Sequence, residues 1–399
     1  MFFKGDPSKI PPPKSGSTGA YNILAFDGGG VKGISSVTIL KRIMDRVRDV
    51  ENEANLSKGK PTDPEERKPV DYFDLAAGTS TGGLIALMLF RLEMNCTDVV
   101  TQYQKLAEQV FCPMLGSIRL NSLGAFGKWI GDIWLTLKAV AGRAQFSHKP
   151  LDKAIDTVVG TFPLDDDDRA RKGDAVLVKP SKGLMFMCAT LADLGESILL
   201  RNYDPPFAPL PVSTGATDFN FNAVTIKEAA RATSAAPTYL NQESIQGLDF
   251  WDGGLLNNNP IDQAWNNRYD LVMRDAPSPR IKCIVSLGTT HLEDDDKERL
   301  GSGIAKFFNT ITKTVAFATN TEAKHLDFER NMRQRNERDP TRKTYYYRFN
   351  ASTGKHNINL DDYLKMPELV DYTNAYLERP EVDKWVSECA ALLAKTNQA

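Results

Sequence analysis

Residues Gly78-Thr79-Ser80-Thr81-Gly82 follow the pattern G-x-S-x-G, which sets a serine on a sharp turn between a strand and a helix. The turn pushes the hydroxyl out of the sheet, and the glycines leave room where no side chain fits. The pattern alone is weak. Its position strengthens it, because an apolar segment ends just before Ser80 and an apolar, helix-compatible segment starts just after it. A serine so exposed is a nucleophile that needs a base within hydrogen-bond reach. Asp252 is the best local candidate. It lies in Trp251-Asp252-Gly253-Gly254, where paired glycines admit a close backbone approach and the aromatic shields the carboxylate. Desolvation raises a carboxyl pKa and makes it a better proton acceptor. The histidines offer a competing triad, since Ser80, Asp252 and then His291, His325 or His356 stand in a workable Ser, acid, His order. His148 reads as an exposed loop residue. No histidine has a distinctive local motif, so dyad and triad both stay open on residue type and order.

Gly28-Gly29-Gly30-Val31-Lys32-Gly33 follows a strand-like segment and supports two readings. Its consecutive amides could bind an oxyanion, or its G-x-G-x-x-G spacing could cradle a dinucleotide. The second reading wants an acidic residue at the end of a further strand about twenty residues on. Asp49, Glu51 and Glu53 are near that distance but lie in a polar stretch without a strand before it. A phosphate P-loop fits worse, because Lys32 is not followed by Ser or Thr. The acidic runs 165–168 and 293–296 lack the alternating ligands and mid-loop glycine of a calcium loop. They read as solvated loops, and no metal or other cofactor is expected.

Elements must hold these residues in place. Residues 21–26 read as a buried strand, 34–47 as a helix, 72–78 as a strand and 80–92 as a helix. Further strands are expected over 184–190, 197–203, 281–288 and 343–349, with helices over 226–235, 303–317, 366–377 and 381–395. Apolar strands alternating with helices imply an α/β fold with a mainly parallel central sheet covered on both faces. Ligands bind at the carboxyl ends of such strands, where Gly28 and Ser80 fall. Residues 51–69 are polar and proline-punctuated and read as an exposed loop. Within 226–240, small residues before Pro237 allow another element to pack closely. Over 123–141, Phe126, Trp129, Ile130, Ile133, Trp134, Leu137 and Val140 share one helical face, suited to core packing or to contact with lipid.

Composition limits the partners. With 49 Lys and Arg against 51 Asp and Glu, the 399-residue chain carries a formal net charge of −2, so it has no basic excess for a nucleic acid. The apolar stretch 75–90 is interrupted and too short to span a membrane. Residues 1–20 read as a flexible Pro-, Gly- and Ser-rich leader without a signal-peptide pattern, ahead of a single domain over 21–399. A cytoplasmic protein is expected. The five widely spaced cysteines, mostly among apolar neighbours, read as buried thiols.

Four segments taken together, DGGGVKG (27–33), GTSTGG (78–83), ARATSAAPTY (230–239) and DGG (252–254), closely resemble the patatin-like phospholipases. The resemblance runs over about 21–260, and the remaining third is expected to complete the fold without motifs of its own. It implies a three-layer α/β/α fold and hydrolysis of glycerolipid or phospholipid acyl esters, with transient contact at a membrane surface. It also implies a Ser-Asp dyad without histidine, with Ser80 as nucleophile, Asp252 as base and Gly28, Gly29 and Gly30 as oxyanion donors. Lys32 stands where the family often has Arg. The other function classes considered are a catalytically silent lipid-binding scaffold of the same fold and a dinucleotide-binding protein.

Overall fold

The computed structural model describes residues 14, 19–112, 114–115, 118–119, 146–206, 219–237, 239–292, 321–356 and 358–395. The amphipathic stretch 123–141, the helix expected over 303–317 and the acidic run 293–296 lie outside the described residues. Strands β1 (Tyr21–Phe26), β2 (Leu75–Thr79), β3 (Leu184–Leu191), β4 (Glu196–Arg201), β5 (Glu243–Ile245), β6 (Leu248–Asp252), β7 (Ile281–Leu287) and β8 (Tyr345–Phe349) form one eight-stranded sheet. Its order is β8-β7-β1-β2-β3-β6-β5, with β4 on the other edge of β3. The run from β8 to β3 is parallel, whereas β4 and β6 are antiparallel to β3 and β5 to β6.

The helices are α1 (Gly33–Ser57), α2 (Thr81–Ala86), α3 (Cys96–Phe111), α4 (His148–Thr161), α5 (Asp166–Arg171), α6 (Ile226–Ser234), α7 (Gly254–Asn257), α8 (Ile261–Asn266), α9 (Thr321–Arg338), α10 (Met366–Leu377) and α11 (Pro380–Leu393). Alternation along the strands divides the core in two. Leu24, Phe26, Ala76, Met185 and Met187 pack with α1, α3, α10 and α11. Ile23, Ala25, Leu75, Ala77 and Phe186 face the other way, against Ile261 and Ala264 of α8 and Phe328 and Met332 of α9. The expected α/β fold with a mainly parallel sheet between helical layers is what the chain forms. All five cysteines are buried free thiols, and no described helix is long and apolar enough to cross a membrane.

Two loop expectations are corrected. Helix α1 runs on to Ser57 because its polar tail has partners. Glu51 takes Arg67 Nε at 2.8 Å and the Tyr72 hydroxyl at 3.0 Å, while Asn52 exchanges two hydrogen bonds with the backbone of Asp63. The run 165–168 is likewise not a loop but the start of a helix, although Asp165, Asp166 and Asp167 are exposed as expected. Asp165 caps α5, and Asp168 is fully buried in a two-pronged pair with Arg91 at 2.7 and 2.8 Å. Arg91 also donates to the carbonyls of Leu177 (2.9 Å) and Val176 (3.0 Å). Burial alone would raise the Asp168 carboxyl, but Arg91 and Lys179 hold it down to about 2. Breaking a buried pair strands a charge and costs about 3–5 kcal/mol. Arg91→Met is therefore expected to lower stability by about that amount, read as a drop in the urea midpoint at unchanged slope; a midpoint equal to wild type would show that the pair contributes nothing.

Candidate active site

Strand β2 ends at Thr79, and α2 begins at Thr81, so the whole reversal falls on Ser80, with φ 54° and ψ −128°. A non-glycine residue in this region costs about 1–3 kcal/mol and persists only where neighbours enforce it. They do so here. The Ser80 amide donates to Thr233 Oγ1 (3.0 Å), Thr233 donates onward to the Cys188 carbonyl (2.7 Å), and Thr79 Oγ1 donates to the Asn257 carbonyl (2.5 Å). A Cβ on Gly82 would lie 2.5 Å from the Asp27 carbonyl oxygen. Only glycine lets the first turn of α2 settle on the end of β1.

The sheet itself brings Asp252 to Ser80. Strand β3 outruns β2, whose last residue Thr79 pairs with Cys188. The overhang on that edge is taken by β6 arriving from the opposite direction, with Asp252 opposite Ala189 and Trp251 opposite Thr190. The C-terminal ends of β2 and β6 therefore meet head to head along one strand. The Asp252 backbone is pinned by its amide donating to the Ala235 carbonyl (3.0 Å) and its carbonyl accepting from Thr190 Oγ1 (3.0 Å). Its Oδ1 accepts the Gly254 amide at 2.6 Å, and the Ser80 side chain stands close enough to the carboxylate to favour its ionised form. Asp252 is 5% exposed. Burial pushes its carboxyl up to about 6, while the Ser80 hydroxyl and the Gly254 amide keep it from rising further.

The glycine loop runs from the end of β1 past Ser80. Most of its polar backbone is committed. The Gly28 amide donates to the Asn258 carbonyl (2.9 Å), the Gly28 carbonyl accepts from Thr289 Oγ1 (2.9 Å), the Gly30 carbonyl accepts from the Tyr103 hydroxyl and the Val31 amide donates to the Leu360 carbonyl (2.8 Å). Of the three amides expected to meet an anion, that of Gly28 is thus already spent on Asn258. Those of Gly29 and Gly30 have no acceptor among the described residues. Gly30 has φ 56°, and a Cβ there would run into the Leu360 backbone. This glycine is needed both for its conformation and for the close approach.

Ser80, Asp252 and the glycine loop stand at one side of a cavity of about 180 Å³. Its other walls are apolar: Leu84, Leu106, Val110 and Phe111 from the α2–α3 side, Leu151 of α4, and Tyr239, Leu240, Leu255 and Leu360. Such a mostly apolar space suits a hydrocarbon chain. None of the four histidines lines it. His148 starts α4 half-buried and contacts the Asn241 carbonyl (2.9 Å), and His325 contacts the Tyr346 hydroxyl (3.0 Å). The acidic side chains near the expected dinucleotide position are held elsewhere, Asp49 by Arg48 and Glu51 by Arg67.

A family model described as patatin-like phospholipase matches residues 24–265, more than half of the chain. The chain belongs to this family. Calcium-independent phospholipase A2-gamma of Oryctolagus cuniculus is 24% identical over 392 residues, covering 94% of this chain and 41% of that protein. Patatin-like protein 1 of Arabidopsis thaliana is 33% identical over 315 residues, covering 74% of this chain and 65% of that protein. Among solved structures, VipD from Legionella pneumophila is similar at 14% identity and a TM-score of 0.31, over 88% of this chain and 67% of that one; nothing further rests on it. The chain spans less than half the length of the rabbit-genus relative and 21% of Phospholipase A I of Arabidopsis thaliana.

The match to the patatin-like family stops at residue 265, yet Thr289 and Leu360 beyond it grip the glycine loop. So does Arg348, through Asp27 (2.6 Å). The last third of the chain was expected to complete the fold without motifs of its own, its histidines being the only site candidates named there. Sequence reasoning also missed Thr233 and Asn258; the first lies in the ARATSAAPTY segment, whose small residues pointed only to close packing.

Proposed function

We propose that the protein is a serine lipid acyl hydrolase, cleaving acyl esters of glycerolipids through a Ser80–Asp252 dyad and an acyl-enzyme. The observation that carries this reading is a conformationally strained serine beside a buried carboxylate, both lining one mostly apolar cavity. Relatives named as phospholipases support the lipid substrate class.

In this mechanism Asp252 accepts the Ser80 proton as Oγ attacks the ester carbonyl carbon, and the carbonyl electron pair moves onto oxygen. The Gly29 and Gly30 amides meet that oxyanion, held in place beforehand and therefore at little reorganisation cost. The pair then returns, the C–O bond to the alcohol breaks, and Asp252 passes its proton to the departing alkoxide. Water, losing a proton to Asp252, releases the fatty acid and restores Ser80. An acid whose pKa is about 6 is matched to such transfers near neutral pH, which removes the need for an imidazole. A cytoplasmic protein touching a lipid surface while the acyl chain enters the cavity completes the reading.

No step calls for a divalent cation. Wild-type protein is expected to release free fatty acid from phosphatidylcholine in mixed micelles at the same rate with and without EDTA. Loss of turnover in EDTA, restored by calcium, would contradict the dyad mechanism.

A further inference from the structure

The parallel registers place Ala25, Ser286 and Arg348 side by side on three adjacent strands, Ala25 opposite Ser286 and Ser286 opposite Arg348. Paired residues share a face, and the two small side chains leave a lane across β7 and β1. The Arg348 side chain lies in that lane. Its guanidinium donates to Ser286 Oγ (3.0 Å), to both carboxylate oxygens of Asp27 (3.0 and 2.6 Å) and to Glu322 at the start of α9 (2.7 Å). Glu322 also accepts from Asn350, whose Oδ1 receives the Thr290 amide (2.9 Å), next to the threonine that holds the Gly28 carbonyl. Arg348 is 4% exposed in its side chain and Asp27 1%.

Asp27 is the residue immediately before Gly28. Two fork contacts to a buried guanidinium fix its direction as a single point charge would not. We propose that Arg348, outside the segment matched to the family, is a positioning residue that sets the aim of the Gly29 and Gly30 amides through Asp27. The inference rests on the hydrolase reading for its catalytic consequence, but the positioning itself is a physical statement about the loop. Lysine at 348 keeps the charge and loses the fork, so Asp27 and the loop behind it gain freedom. The loss falls on the transition state, where the oxyanion exists, and leaves substrate binding in the apolar cavity alone.

The test uses the full chain as wild type, Arg348→Lys and Asp27→Asn; the last leaves Arg348 paired with Glu322 and serves if the first does not fold. Two readouts are taken: kcat and KM on a p-nitrophenyl acyl ester, and amide hydrogen exchange by mass spectrometry. The expected result is a kcat lowered about 10- to 100-fold with KM within about twofold. Exchange at Gly28 and Val31, the two loop amides bonded to other segments of the chain, becomes at least about tenfold faster, with α1 and β7 unchanged. A folded variant with wild-type kcat and wild-type exchange overturns the proposal. So does exchange that rises across the whole sheet, which marks a structural role alone. If wild type turns over no ester, the hydrolase reading fails, and the exchange at Gly28 and Val31 still decides whether Arg348 holds the loop.

Discussion

Ser80→Ala is expected to abolish ester hydrolysis, by about 10⁴-fold or more, in a protein that remains folded. The magnitude follows from chemistry, since without Oγ no acyl-enzyme forms and only cavity binding and oxyanion stabilisation remain. The structural part is more particular. Ser80 keeps φ 54° because Thr233, Cys188 and Asn257 hold the turn, and alanine occupies that conformation at much the same cost. Glycine does not pay it. Ser80→Gly is expected to be as inactive as the alanine variant yet more stable by about 1–2 kcal/mol. A rise in denaturation midpoint with loss of activity would mark the serine as held under strain for its chemistry; a fall would show that the hydroxyl itself supports the fold.

Asp252→Asn is expected to lower kcat/KM by about 10³-fold or more and to remove the pH dependence on the acid side. With the carboxyl at about 6, wild-type kcat/KM rises as pH rises through 6 and levels off above it, because only the carboxylate accepts the serine proton. Stability runs the opposite way. The folded value lies above the ordinary 3.8, so the folded state binds the proton more tightly than the unfolded chain. Stability is therefore fullest below 3.8 and is lost between 3.8 and about 6 as the pH climbs. The difference amounts to at most about 3 kcal/mol. Asparagine cannot ionise, so the variant is expected to gain stability relative to wild type at pH 7.5 but not at pH 4. A variant that keeps the acid limb of the wild-type profile would assign that limb to another group.

How much of this was legible in the sequence depended on distance along the chain. The elbow at Ser80 was readable because strand, serine and helix are contiguous. The nearness of Asp252 to Ser80 was not, because it depends on β6 docking against the overhang of β3, a pairing of residues 252 and 189 that no local period reveals. Only the family resemblance favoured the dyad at that stage. Arg348 meets Asp27 across 321 positions, and a lone arginine after three tyrosines gives no local sign of such a partner. Helix α3 did offer a sign that went unused, since Asn95 accepts the Asp98 amide as its cap. Helix α4 has the same kind of cap in Ser147. Asp168 was misread because an acidic run suggests solvent until Arg91, 77 residues earlier, is brought against it.

The most direct test of the dyad is intact mass after treatment with a long-chain alkyl fluorophosphonate, on wild type, Ser80→Ala, Asp252→Asn and a variant with all four histidines replaced by alanine. One phosphonyl adduct is expected on wild type and on the histidine-free variant, none on Ser80→Ala, and a much slower adduct on Asp252→Asn. Folded wild type that takes no adduct, or labelling that vanishes with the histidines in a folded variant, would contradict a Ser80–Asp252 dyad.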